Sequence, residues 1–137
     1  MRKIMVAVYM GILTLGICGC GGAAQSQTVT PKSVAEFRRV AADEAAKMMM
    51  EEKDYRIVDV RTAKEYADGH IPNAINVPNE SIGTNPPKEL PDKGQLIFVY
   101  CRSGSRSMQA SQKLAGLGYT NIVEMGGIKD WHGDIVK

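Results

Sequence analysis

The sequence predicts an α/β domain built on a mostly parallel sheet. Two observations carry this: β-rich apolar runs alternate with helix-forming segments, and the most hydrophobic run, "QLIFVY" (95–100), is apolar without interruption after Gln95. Alternation of that kind builds βαβ units, and an unbroken apolar run marks a strand buried on both faces. With 137 residues the chain holds one such domain with a real core and is too short for two ordinary ones.

The first segment reads as an export signal. Arg2 and Lys3 form a short positive region, and Ile4 to Ile17 an apolar region of 14 residues, short of the roughly 20 that cross a bilayer. The segment ends in "ICGCGG" (17–22), which resembles the lipobox of bacterial lipoproteins, with Cys20 as the residue to be lipidated. Ile17 sits at −3 and Gly19 at −1, while Cys18 fills −2 imperfectly. The alternatives are an ordinary cleaved signal or an uncleaved anchor. The expected organisation is a signal peptide over 1–19, a flexible tether over 20–36, whose "GGAAQSQTVTPKS" is small, polar and aperiodic, and a folded domain over 37–137.

Within that domain, "AADEAAKMMMEEK" (41–53) predicts a helix with Ala45, Met48 and Met49 on one face. Three adjacent methionines at that spacing are core and neighbouring surface rather than a metal site. "YRIVDV" (55–60) predicts a strand, and "TAKEYADG" a short helix opened by the capping box Thr62–Glu65 and stopped at Gly69. "AINV" (74–77) is a second strand, bounded by Pro72 and Pro78, and residues 79–94, with three prolines and two glycines, predict an irregular loop. After the 95–100 strand, Ser105 to Leu117 predicts a helix with Ala110, Leu114 and Leu117 inward, "NIVEM" (121–125) a strand, and "GGIKDWHGD" a last turn of helix.

Composition excludes some functions. Hydrophobic content of 44% and charged content of 23% are those of a soluble globular protein. The 17 basic residues fall to 15 without Arg2 and Lys3, against 15 acidic ones, so nothing points to a nucleic-acid partner. Were Cys18 to leave with the signal and Cys20 to carry lipid, Cys101 would be the single free thiol, with no internal disulfide and no multi-cysteine zinc site open to it. The isolated His70 and His132 make no metal site either. His132 reads as surface, and no cofactor is implied.

Cys101 falls at the carboxyl end of the most hydrophobic strand, where parallel sheets bind their ligands. The residues after it, "RSGSR" (102–106), lead into a helix. Helix N-termini leave N–H groups unpaired and carry partial positive charge. The small Ser103, Gly104 and Ser105 let the backbone curl into an anion-binding nest, and Arg102 and Arg106 add full positive charge. A thiol there is pushed toward thiolate, the nucleophilic form.

Taken together, "VDVRTAKEYADGHIPNAINVP" (58–78) and "VYCRSGSRSMQASQKLAGLGYTNIVEMGGIKDW" (99–131) resemble the single-domain rhodaneses, a family of sulfurtransferases. The matching motifs are D-V-R at Asp59 to Arg61, G-H-I-P-N-A at Gly69 to Ala74, the Cys101 loop, and G-G-I-x-x-W at Gly126 to Trp131. The resemblance implies a rhodanese-like fold, a parallel five-stranded sheet flanked by helices on both faces. It also implies a two-step mechanism: Cys101 takes the outer sulfur of a donor such as thiosulfate as a persulfide, and a thiol or cyanide acceptor removes it. Arg102 is then the candidate for attracting the donor anion, and Ser103, Gly104, Ser105 and Arg106 for the cradle. Arg106 would pin the loop through Glu65 or Asp59, and Asp59 and Arg61 match a pair that is mainly structural. The expected partners are small sulfur donors and acceptors and, through Cys20, a membrane, with a monomer as the expected assembly.

Two rivals follow from the same residues. Rhodanese-like phosphatases and arsenate reductases place five residues between cysteine and arginine, whereas four, Arg102 to Ser105, stand here, a cradle nearer the size of one sulfur atom. A non-enzymatic binding module is the other, although such modules often lack the cysteine. The loop also lacks the C-G-x-G-V-T pattern of mercaptopyruvate enzymes, which leans toward thiosulfate, polysulfide or a persulfide carrier as donor.

Overall fold

The structure is a computed structural model and describes residues 36–137. The expected signal peptide, Cys20 and all but the last residue of the expected tether lie outside the described residues. Five parallel strands form one sheet in the order β1-β5-β4-β2-β3. They are β1 (Arg38–Arg39), β2 (Tyr55–Asp59), β3 (Ala74–Asn76), β4 (Leu96–Cys101) and β5 (Ile122–Gly127). The helices are α1 (Ala42–Glu51), α2 (Ala63–Asp68) and α3 (Ser105–Gly116), with 3-10 turns at Asn79–Ser81 and Ile128–Asp130.

Both faces of the sheet are covered, because the strand period of two sends alternate side chains into two cores. On one face Val58, Val60, Ile97, Val99, Cys101 and Ile122 pack with Ala110 and Leu114 of α3. On the other, Ile57, Phe98, Tyr100, Val123 and Met125 pack with Ala45 of α1, and Tyr66 of α2 lies against them. The continuous apolar run of β4 is therefore the centre of the sheet, buried at all six positions. Met48 and Met49 lie against the second core, whereas Met50 is 80% exposed.

Each helix starts for its own reason. Asp43 and Glu44 in the first turn of α1 complement the helix dipole. In α2 the capping box is formed, Thr62 Oγ1 accepting from the Glu65 N–H while Glu65 accepts from the Thr62 N–H. The N-terminus of α3 has neither a side-chain cap nor an acid in its first turn. Its N-cap Gly104 is left-handed, φ 105°, so its N–H groups remain available to the loop before it.

Element boundaries moved at three places. The fifth strand is β1, two exposed arginines paired with Val123 and Glu124 at the sheet edge, where no apolar pattern announces a strand. Cys101 is the last residue of β4 rather than the first of a loop. Strand β5 runs two residues beyond Met125, through a bulge: Val99 pairs with Glu124 but Cys101 pairs with Gly127. The additional β5 residue bends the strand beside the cysteine, with Gly126 at φ 82°.

Candidate active site

The two sides of the sheet's carboxyl end are held by different polar groups. Asp59 and Arg61, 0% and 6% exposed, form a buried ion pair in which Arg61 Nη2 lies 2.6 Å from Asp59 Oδ2. Arg61 Nη2 also donates to the Gly69 carbonyl at 2.7 Å. The Tyr100 hydroxyl donates to Asp59 Oδ2 at 2.9 Å and accepts from the Ile71 N–H at 3.1 Å. Burial raises the Tyr100 phenol well above its ordinary value, so it remains a donor. Asn76, at the end of β3, donates to the carbonyls of Asp59 and Arg61 at 3.0 and 2.9 Å. This network ties the turn at residues 69–71 to β2 and β4 and does not contact the cysteine.

Cys101 lies on the α3 side and is 1% exposed. The Gly104 N–H donates to its Sγ at 3.0 Å, and Ser107 Oγ lies 3.5 Å from the same sulfur. Burial pushes the thiol up. The Ser107 hydroxyl together with the N–H groups of Ser107, Gly104 and Ser103 outweighs that cost and holds it below its ordinary value. Among the described residues it is the single free cysteine, and no three His, Cys, Asp or Glu side chains among them gather as a metal site.

The loop is fixed from three directions. Arg106 donates to both oxygens of Glu65, at 2.7 and 2.9 Å, so of the two acidic candidates it takes Glu65, while Asp59 is committed to Arg61. Behind the loop, Gly127 lies so close that a Cβ there would come within 2.1 Å of the Arg102 carbonyl oxygen and 2.7 Å of Ser103 Cα. The Lys129 N–H reaches the same Arg102 carbonyl at 3.4 Å. Arg102, Ser103 and Ser105 are exposed at the mouth, whereas Gly104 is buried and Arg106 half-buried. Two histidines lie elsewhere: His70 stacks on Tyr66 with its Nδ1 2.8 Å from the Tyr66 carbonyl, and the exposed His132 meets Asp43 at 2.9 Å.

Three contributors were not singled out from the sequence. Ser107 supplies the side-chain hydroxyl beside the sulfur, and Glu124, 1% exposed, accepts from that hydroxyl at 2.6 Å. Gly127 supplies the close approach. The pairing of G-G at 126–127 was a signal for tight backbone contact, but nothing in "NIVEM" marks Glu124 as buried beside an active cysteine.

Among the described residues a single buried thiol, next to backbone N–H groups at the carboxyl end of a parallel sheet, marks the site of this α/β protein. The chain belongs to the rhodanese-like family: the model of the rhodanese-like domain matches residues 41–134. It is 37% identical over 73 residues to the thiosulfate sulfurtransferase PspE of Escherichia coli, covering 53% of this chain and 70% of that one. It is 35% identical over 93 residues to a sulfurtransferase of Allochromatium vinosum, covering 67% and 85%. Among solved structures, an E. coli rhodanese with anions aligns at TM-score 0.56 and 35% identity, over 61% of this chain and 98% of that one. The five-stranded parallel sheet with helices on both faces is thus the rhodanese-like fold.

Proposed function

We propose that this chain is a thiosulfate-type sulfurtransferase that carries a sulfane sulfur on Cys101. The observation that carries the reading is the environment of Sγ, a buried thiol held below its ordinary pKa by the loop N–H groups and the neighbouring Ser107 hydroxyl. The Cys101 thiolate attacks the outer sulfur of the donor. The bond to the sulfonate breaks with its electron pair, sulfite leaves, and a persulfide anion remains in the cradle. An acceptor thiolate or cyanide then attacks the outer sulfur and Cys101 departs as thiolate, so one transfer becomes two easier ones. Loop N–H groups stabilise the sulfur anion as an oxyanion hole does its oxygen.

Arg102 is exposed at the mouth and is the group we assign to donor-anion attraction. Ser103, Gly104 and Ser105 shape the cradle, and Arg106 holds it in place through Glu65. Thiosulfate as donor is supported by the name of the PspE relative. The four-residue spacing between Cys101 and Arg106 favours one sulfur over a phosphate.

Intact mass decides the reading. After incubation with thiosulfate and removal of the excess, the wild-type chain should gain one sulfur atom and the Cys101→Ser variant none. An unchanged wild-type mass would leave a binding module, and rapid release of phosphate from an aryl phosphate would move the chain to the phosphatases.

We further propose that the protein is exported and anchored by lipid on Cys20, the domain over 37–137 standing on the 20–36 tether. Metabolic labelling with an alkyne fatty acid in a bacterial host should tag the wild type and spare Cys20→Ala; equal labelling of both overturns the anchor.

A further inference from the structure

Glu124 is a carboxylate in an otherwise apolar strand, 1% exposed, and it stands behind the cysteine rather than at the mouth. The β5 bulge frees the Gly126 N–H from the ladder, and Glu124 Oε1 accepts it at 2.7 Å. The same oxygen accepts from the Ser107 hydroxyl at 2.6 Å, and Oε2 meets Arg39 Nε at 3.0 Å. Arg39 is 63% exposed, so water screens the one cation that faces this buried charge among the described residues.

Ser107 has a single hydrogen and several claimants for it. Its Oγ lies 2.6 Å from Glu124 Oε1, 2.9 Å from the Gly104 carbonyl, 3.2 Å from the Gly126 carbonyl and 3.5 Å from Cys101 Sγ. While Cys101 is a thiol there is no conflict: the S–H donates to Ser107 Oγ and Ser107 donates to Glu124. Once the proton is gone, sulfur and carboxylate compete for that one hydrogen, and two negative charges flank one hydroxyl.

We propose that Glu124, acting through Ser107, disfavours the bare Cys101 thiolate relative to the persulfide and so biases the protein toward its sulfur-loaded state. This rests on the sulfurtransferase reading above. In the loading step the negative charge passes from Sγ to the added sulfur, one bond further from Glu124. Sγ is then a neutral disulfide-type atom and no longer competes, so the Ser107 hydrogen belongs to Glu124 alone. Like charges repel less at the greater separation, and the loaded state gains.

The charged and titratable groups around this chain are few. Arg39 faces Glu124 from β1, Cys101 belongs to β4, and Arg106 faces Cys101 from α3 while bound to Glu65. Helix α1 packs on the opposite face of the sheet, with Asp43, Glu44 and Lys47 exposed. Glu124 is a positioning residue, since it reaches the reacting sulfur only through Ser107.

The test uses the full chain as wild type, Glu124→Gln and Arg39→Gln, each checked for native circular dichroism. The first readout is the rate of Cys101 alkylation by iodoacetamide against pH, which needs no sulfur donor. Glu124→Gln should move the midpoint to lower pH and Arg39→Gln, which unmasks the carboxylate, to higher pH. The second is the loaded fraction by intact mass at a fixed ratio of thiosulfate to sulfite and at a pH above the alkylation midpoints of all three proteins, where the bare form is the thiolate. The loaded-to-bare ratio should fall roughly tenfold in Glu124→Gln and rise in Arg39→Gln. A folded Glu124→Gln with an unmoved or higher midpoint overturns the proposal. If that variant does not fold, Arg39→Gln decides, and an unmoved or lower midpoint overturns it. A wild type that alkylates normally but never loads defeats the sulfurtransferase reading instead, while the alkylation profiles still report whether Glu124 reaches the thiol.

Discussion

Arg106 and Glu65, 41 positions apart, form a two-pronged ion pair that joins the cysteine loop to the first turn of α2. One carboxylate thus serves twice, as the capping-box acid of α2 and as the anchor of the loop. The hydrogen bonds from Arg106 hold the Glu65 carboxyl at about 2, below the ordinary 4.5, against the opposing effect of burial and with help from Thr62. A carboxyl depressed on folding stabilises above its unfolded value and loses that contribution as pH falls through the folded one. The contribution should therefore be complete above pH 4.5 and vanish toward pH 2. Glu65→Gln should flatten that part of the stability–pH curve and cost about 1 kcal/mol at neutral pH, the pair being partly exposed. Urea titrations of both proteins across that window measure it; parallel curves would count against the pair.

Asp59→Asn should be far more costly. It leaves the Arg61 guanidinium buried beside an amide, and losing one partner of a buried pair costs about 3–5 kcal/mol. The Tyr100 hydroxyl also loses its carboxylate acceptor. Denaturant midpoints should drop accordingly. Where the variant still folds, Cys101 alkylation should keep the wild-type pH profile, because the network does not contact the cysteine.

Gly127→Ala tests the close approach of strand and loop. The added Cβ would overlap the Arg102 carbonyl, so the loop must move outward, at about 1–3 kcal/mol of overpacking. The expected result is a folded protein, by circular dichroism, whose rate of sulfur loading falls at least tenfold by the same arithmetic. Wild-type loading would show that the loop does not depend on that contact.

Ser107→Ala removes the hydroxyl that helps hold the thiol below its ordinary pKa. The midpoint of Cys101 alkylation should shift to higher pH, opposite in direction to Glu124→Gln. Measured under the same conditions, a shift to lower pH would mean that the serine serves the carboxylate alone.

How much of this was legible beforehand follows from where the signals are local. Strand β4 announces itself by an unbroken apolar run after Gln95, α2 by Thr62 and Glu65, and the cradle by small residues between a cysteine and an arginine. The choice of Glu65 over Asp59 as the partner of Arg106 could not be read, because it depends on which carboxylate Arg61 has already taken. Strand β1 was silent, since two arginines at a sheet edge gain order from β5 and not from their own composition. The bulge was silent for a related reason: G-G looks like a turn until the register across from Val99 and Cys101 is known. Glu124 was hidden by that same register, which turns it inward at a point where charge is rare.

The near-complete enclosure of Cys101 has a practical outcome for chemistry at this site. The encoded sulfur, 1% exposed, forms part of the wall, whereas a guest sulfur would stand about 2 Å further out, toward exposed Arg102, Ser103 and Ser105. Host and guest atoms would then have separate fates: the traveller, held by the loop N–H groups, is the one an acceptor reaches, and the host stays indoors. A collision partner has to present a slender tip, such as a terminal thiol or a small linear ion, to reach into that doorway. By the same enclosure, a bulky oxidant should reach the host atom more slowly than a small one.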